Sequence, residues 1–438
     1  MSFQQGLSGL NGAAKSLDVI GNNVANASTV GFKQSQTQFA DMYANSMNRS
    51  GNSPVGIGVT VANVAQQFTQ GNISSSNNPL DIAINGDGFF QMAGSLEDKS
   101  PMYGRNGQFQ LDKSGYIVNP SMNGAYLMGW AAGASGGDPV PLQIDTSSIP
   151  ATTTTSISTK VNLDSRLSKP TTTPFNAADP TTYNNSTGVT IYDSLGNPYS
   201  VQTYYVKHDP DTTVTPPTTS WDVYAKVGDQ TLVTTSGGTT PLSLGTMKFD
   251  STGSLIGVFD STGTQITSGL MSLDLTAAGP NANIAAGGGN FASAITLSYA
   301  GSTQTGSAFV NLAQNQNGMP PGTLSSFSID KDGNIVGSYS NQQTKNLGTV
   351  VLVNFANPNG LQPLGNNLYA ATGAAGSPLV GKPSTGTFGS LQARAVEDSN
   401  VDLTAELVNM IVAQRVYQAN SQTIKVQDTV LQTLVSLR

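Results

Sequence analysis

The sequence contains no cysteine, which excludes a disulfide framework, a thiolate metal site and a cysteine nucleophile. It contains a single histidine, His208, so any Ser-His-Asp chemistry must pass through that residue, and no GxSxG elbow supplies a nucleophile. His208 lies at the end of a strand-like run before a Pro/Thr-rich stretch and reads as an exposed loop histidine. Charge is scarce as well: Asp, Glu, Lys and Arg make up 10% of the 438 residues, against about 25% in ordinary soluble domains. With 26 acids against 19 bases the net charge is −7, and no basic run exists. Nucleic acid and anionic membrane surfaces are therefore not expected as partners. No apolar run nears the about 18 residues of a membrane span, so no membrane insertion is expected. The start, MSFQQGLSGLNGAAKSL, has neither a basic n-region nor a continuous apolar core, so no cleaved signal peptide is expected. No metal, cofactor or catalytic constellation emerges, and the chain does not read as an enzyme.

What fills the space left by charge is Gly, Ser, Thr, Asn and Gln. Such a surface carries little electrostatic penalty when packed on copies of itself, which points to self-association. The two ends differ from the middle. From Phe3 the apolar or small positions Phe3, Leu7, Leu10, Ala14, Leu17, Gly21 and Val24 step by four and three, a heptad seam on a helix over residues 3–27. Ser2 and Gln5 form a capping-box pattern at its start. Gly6, Gly9, Gly12 and Gly21 each cost about 1 kcal/mol against alanine, so this helix is marginal alone.

From Leu391 onward there is neither Gly nor Pro, and Leu403, Leu407, Met410, Tyr417, Ile424, Leu431 and Val435 keep the same spacing on a helix running from Val401 to the end. The two seams are read as pairing the terminal helices in a coiled coil and as packing against neighbouring subunits. Between the ends lies a β-rich body of short alternating strands. A turn recurs in it: Asp112 with Gly115, Asp193 with Gly196, Asp250 with Gly253 and Asp330 with Gly333. Each reads as a hairpin, with Asp capping the turn and Gly taking a positive φ. "DKDGN" from Asp330 also looks like a calcium loop, but position twelve is Asn341 where a glutamate is required, so the hairpin is preferred.

The stretches "SGLNGAAKSLDVIGNNVANASTVGFK" and "EDSNVDLTAELVNMIVAQRVYQANSQTIKVQDTVLQTLVSLR" resemble the terminal signatures of the bacterial flagellar axial proteins, the rod and hook family. Leu17, Asn22, Asn23, Ala25, Asn26, Thr29, Gly31, Phe32 and Lys33 match the first signature. Ser399, Asn400, Val401, Leu403, Glu406, Leu407, Gln414, Arg415, Tyr417, Asn420 and Leu434 match the second. These ends are shared by rod, hook and hook-associated members; the long middle segment and "GSYSNQQTKNLGTVVLVNFANPNGL" resemble the hook type. A distal rod protein would lack most of residues 147–301. A β-rich surface adhesin is the remaining alternative, and the scattered Trp130 and Trp221 do not favour it.

The resemblance implies a mainly β fold with α-helical termini, the terminal helices paired as an inner coiled-coil layer around an export channel and β-rich domains inserted in series. The organisation expected is a helical core domain from 1–27 and 399–438, an extended connector at 28–71, an inner β domain from 72–146 and 302–398, and an inserted outer β domain at 147–301. The resemblance further implies a helical homopolymer that forms a curved tube and passes motor torque to the filament as a universal joint. Implied partners are further copies of the chain, the flagellar rod protein, the hook cap protein, the hook-filament junction protein and the flagellar type III export apparatus. The implied location is the basal body and hook at the cell exterior, reached with terminal segments that travel unfolded. Asn22, Asn23 and Asn26 are read as hydrogen-bonders between subunits, and Gly31 as the turn out of the helical core.

Overall fold

A computed structural model describes residues 2–42, 56, 58–97, 100–134, 136–213, 215–233, 240–276, 281, 289–291 and 293–436. The chain is mainly β, with one long helix near each end, and divides into two compact units. The first holds residues 1–146, 325–338 and 344–438; the second holds 147–324 and 339–343. No helix of the described residues is long and apolar enough to cross a membrane.

In the first unit, helix α1 spans Ser2–Ala25 and helix α2 spans Leu403–Ser436, each two residues short of the expected limit at the end facing the body. The start of α2 follows from Asp402, whose carboxylate accepts from the N–H groups of Thr404 at 2.9 Å and Ala405 at 3.1 Å, the N-cap arrangement that satisfies otherwise unpaired donors. On α1 the Gln5 amide donates to the Gly56 carbonyl at 2.6 Å; the side chain of Ser2, on which the expected capping box depends, that of Leu434 and residue Arg438 lie outside the described residues. Residues 28–71, expected as an extended connector, contain an antiparallel pair, β1 (Ser35–Met42) with β2 (Gly58–Gln66). The alternating, β-branched run GVTVANVAQ accounts for it, and the pair lies against α1: Phe39 and Val59 are the side chains nearest to Gly12.

The body of this unit is a sheet in which the strands Thr344–Val350, Ala125–Ala131, Phe89–Ala93, Pro101–Gly104 and Leu368–Ala370 are successive neighbours. Phe89, Tyr103, Val353, Phe355 and Tyr369 form one of its apolar cores. A short strand, Ala395–Glu397, leads from this body toward α2 and pairs antiparallel with Ile73–Ser75.

The described residues of the second unit form two sheets around a core that includes Trp221, Tyr205, Phe249, Phe291 and Tyr299. Asn185–Tyr192, Pro198–Lys207, Thr219–Val227, Ser243–Phe249 and Leu255–Phe259 run in antiparallel order in one sheet. Residues 302–324, expected with the inner domain, belong here instead. Val310–Gln316 pairs antiparallel along Ser156–Asp164, and Thr303–Thr305 pairs parallel with the end of the same strand.

The recurrent turns are hairpins, as their sequence requires. Gly115, Gly196, Gly253 and Gly333 have φ between +81° and +84°, and each preceding Asp accepts the N–H of the residue four positions on at 2.8–2.9 Å. A fifth copy, Asp260 with Gly263, follows the same pattern. At Asp330 both carboxylate oxygens are taken by Asp332 and Asn334, which is hairpin chemistry.

His208 is not a free loop residue: its Nε2 lies 2.7 Å from Asp222 Oδ2, with 41% of the His side chain exposed. The hydrogen bond to Asp222 raises the imidazole above its ordinary value of 6.5, against an opposing effect of burial. Because the folded pKa is raised, the pair's contribution is complete below the unfolded value and fades as pH rises through the folded one. Raising pH from about 6 to about 8 is expected to cost the second unit under about 1 kcal/mol. His208→Gln should remove that pH dependence in a thermal melt.

Candidate assembly interface

The two terminal helices lie against each other through their smallest residues. A Cβ added to Gly6 would sit 3.1 Å from Ile424, and one added to Gly9 would sit 2.8 Å from the Asn420 amide. Buried positions on α1 are Gly6, Gly12, Ala13, Val19, Ile20 and Asn23, while α2 buries Glu406 and Ala413. Glycine and alanine at these places let the backbones approach closely. The large seam residues are elsewhere. Phe3, Leu7, Leu403, Leu407, Tyr417, Leu431 and Val435 are exposed, and Leu10, Leu17, Val24, Met410 and Ile424 are half-buried.

The heptad reading located the large apolar residues, and in the single chain most of them lie away from the contact between α1 and α2. The exposed apolar surface of α2 is broader than a seam: Leu403, Leu407 and Ile411 form one i,i+4 row, and Val408, Val412 and Val416 another, all 45–55% exposed. Side chains four apart stack on one helical face, so these rows make a continuous apolar surface. Apolar surface of this extent on a folded chain marks a site of association. A groove of about 820 Å³ opens among α1, α2 and β1–β2, with Gly12, Val19, Thr37, Asn409 and Val412 in its wall.

Each motif residue has a definite place. Asn23 is buried within the chain: its amide donates to Ser35 O at 2.8 Å and Glu406 Oε2 at 3.3 Å, and its Oδ1 accepts from Ser35 N at 2.9 Å. It therefore joins α1, β1 and α2 of one subunit, which corrects the expectation that it bonds between subunits. Asn22 is exposed, and Asn26 donates to its carbonyl and to its Oδ1, both at 2.9 Å. Thr29 Oγ1 donates to Asn26 Oδ1 at 3.2 Å. Asn22, Asn26, Thr29 and Phe32 border a second groove, of about 670 Å³, whose wall is rich in amides and lacks charged side chains. Gly31 has φ +70° and donates to Glu397 O at 2.7 Å. It lies six residues beyond the end of α1, too far to be its C-cap, and forms the turn into the body.

Asn23→Ala is expected to destabilise the fastening of α1 by about 1–3 kcal/mol, since Glu406 and the Ser35 backbone lose their partner in a buried place. Asn22→Ala, at an exposed site, should stay within about 0.5 kcal/mol. Urea titration of the two variants separates them.

Sequence reasoning named Lys33 as a motif residue but missed its buried partners, Glu397 and Arg105. Lys33 Nζ lies 2.7 Å from Glu397 Oε1 and donates to Thr69 O at 2.7 Å. Arg105 reaches Glu397 Oε2 at 3.3 Å and gives its other terminal nitrogen to Gly86 O at 2.8 Å. The side chains of Lys33 and Glu397 are fully enclosed, and that of Arg105 is 3% exposed. Burial pushes the Lys33 ammonium below its ordinary range, Glu397 opposes that shift, and Arg105 adds to it. Removing one member of a buried pair costs about 3–5 kcal/mol because the other is left uncompensated. The signal available in sequence was the presence of isolated charges at the inner edges of both terminal stretches of a charge-poor chain, Lys33 closing the first and Glu397 opening the second.

Protein-family models match along most of the chain. Residues 3–33 match "Flagella basal body rod protein", 83–162 match "Flagellar hook protein FlgE/F/G D1 domain", 162–319 match "Flagellar basal body protein FlaE D2 domain", and 392–437 match "Flagellar basal body rod FlgEFG protein C-terminal". The chain is 42% identical over 448 aligned residues to the flagellar hook protein FlgE of Salmonella typhimurium, covering all of both chains. It is 41% identical to that of Escherichia coli over 451 residues, again covering both completely, and 31% identical to that of Borreliella burgdorferi over 470 residues, covering all of this chain and 99% of the other. Its fold resembles the crystal structure of Helicobacter pylori flagellar hook protein FlgE2, with a TM-score of 0.51 and 16% identity over 74% of this chain and all of that one. With both termini, the inserted β unit and the full length accounted for by these relatives, the chain belongs to the flagellar hook protein family.

Proposed function

We propose that this chain is the structural subunit of a bacterial flagellar hook, polymerising through its terminal helices into a curved, flexible tube that passes rotation from rod to filament. The observation that carries this is the pair of exposed apolar rows on α2, in a chain that resembles hook proteins over its whole length. A monomer gains nothing from leaving those rows in water, and packing against neighbouring copies covers them. In this reading the helices form an inner coiled-coil layer, with Phe3, Leu7, Leu403, Leu407, Tyr417, Leu431 and Val435 at contacts between subunits. The β units lie outside it, and weakly charged Ser-, Thr- and Asn-rich surfaces allow contacts to shift without breaking fixed ion pairs.

A distal rod subunit is disfavoured by residues 162–319, which match a domain found between the shared ends. An adhesin with an aromatic binding face is disfavoured by Trp130 and Trp221, which are 8% and 0% exposed. The role is mechanical, with rod, hook cap and junction proteins as neighbours and the type III export apparatus as the route to the cell exterior. Electron microscopy of a strain lacking this chain tests the proposal: filaments should be missing and basal bodies should end at the rod, whereas a normal curved hook would refute it.

A further inference from the structure

Glu397 holds together four stretches of chain that are far apart in sequence. Its Oε1 lies 2.7 Å from Lys33 Nζ and accepts the Gly71 N–H at 2.9 Å; its Oε2 faces Arg105 at 3.3 Å; its backbone carbonyl accepts from Gly31 at 2.7 Å. Lys33 lies in the segment leaving α1, Gly71 follows β2, Arg105 belongs to the β body, and Glu397 ends the last strand before α2. Gly71 is packed so closely that an added Cβ would overlap the Asp398 carbonyl, and Asp398 N in turn donates to Asn72 O at 2.8 Å. The site places two buried cations against one carboxylate, so the carboxylate cannot be lost without leaving two like charges enclosed together.

We infer that Glu397 is a two-ended clasp, which makes ordering of the N-terminal segment at residues 31–35 conditional on ordering of the C-terminal segment at residues 395–398, and the reverse. The coupling comes from shared partners. Departure of the C-terminal segment takes Glu397 from two buried cations, and departure of the N-terminal segment takes from Glu397 both the Lys33 ammonium and the Gly31 N–H, so the loss of either tether removes bonds that hold the other. Outside the clasp, α1 carries Gly6, Gly9, Gly12 and Gly21, and most of α2 faces solvent. The chain beyond the clasp is therefore weakly held, and the clasp fixes where the firmly folded body begins at both ends together.

The test is hydrogen exchange with mass spectrometry on the isolated full-length chain, so that its outcome does not depend on polymerisation. In the unaltered protein, segments 31–35, 69–72 and 396–398 should all be protected. Glu397→Gln, which leaves two cations facing a neutral amide, should speed exchange by at least about 100-fold in all three segments. Lys33→Met leaves a balanced Arg105–Glu397 pair and should act more gently, about tenfold, but again in all three, including 396–398 at the opposite end of the sequence. Strands Phe89–Ala93 and Ala125–Ala131 report whether the body is still folded. The inference is overturned if Lys33→Met affects only 31–35, if the unaltered chain lacks protection in these segments, or if Glu397→Gln unfolds the body while Lys33→Met is silent.

Discussion

A chain carrying Leu407→Glu and Ile411→Glu is expected to fold, to remain monomeric, and to fail to form tubes. Both residues lie on one exposed row of α2, 45% and 50% accessible, so the substitution removes nothing from the interior of the single chain. Glutamate is also a good helix former, and α2 itself should survive. In a polymer the same positions are covered. Burying a leucine or isoleucine contributes about 1.5–3 kcal/mol, and the paired glutamates would need to be desolvated without a partner. A loss of at least about 3 kcal/mol per contact raises the concentration needed for assembly by at least about 100-fold. Sedimentation of seeded polymer reads this directly. Gln422→Glu, exposed but outside the apolar rows, is the control and should assemble as the unaltered chain does. Tube formation by the double variant at unchanged concentration would remove the apolar rows from the interface.

Gly31→Ala is the second large effect. Gly31 combines φ +70° with backbone contact: an added Cβ would lie 2.6 Å from the Asn106 nitrogen and 2.8 Å from its Cα. The left-handed conformation alone costs an L-residue about 1–2 kcal/mol. Relieving the overlap must move residues 31 or 106, and moving residue 31 breaks its hydrogen bond to Glu397 O. Together these should reach about 3 kcal/mol, which lowers the melting temperature of the first unit by about 6–12 °C. Gly124 provides the comparison, with φ +72° and nothing within 4 Å of an added Cβ, so Gly124→Ala isolates the conformational term. Calorimetry that finds the two variants equally stable would show that the approach to Asn106 carries no energetic weight.

What could be read in the sequence was whatever a short stretch decides by itself. The Asp-x-x-Gly hairpins and the turn at Gly31 were of this kind, because each depends on a few consecutive φ/ψ values and one side chain. The same pattern, applied once more, would have found Asp260 with Gly263. The helices were legible as helices, but their mutual face was not. Periodicity finds large apolar residues, whereas α1 meets α2 through Gly6 and Gly9, which carry almost no apolar signal. The placement of Val310–Gln316 beside Ser156–Asp164 is a choice among partners more than 140 residues apart, and no local pattern ranks those partners. Asn23 shows the same limit: its residue type announced a hydrogen-bonding role, and only the fold revealed that the bonds close within one subunit.

The meeting of both chain ends at Glu397 also fixes how the molecule carries load. A pull on α1 reaches the body through Lys33 and Gly31, and a pull on α2 reaches it through Asp398 and the strand Ala395–Glu397, so both arrive at one rivet. With the clasp inferred above, tension on one helix presses on the same set of bonds that restrains the other. In the tube proposed for this chain, load on either helix would reach the body at this dry, enclosed spot, where water does not compete for the bonds.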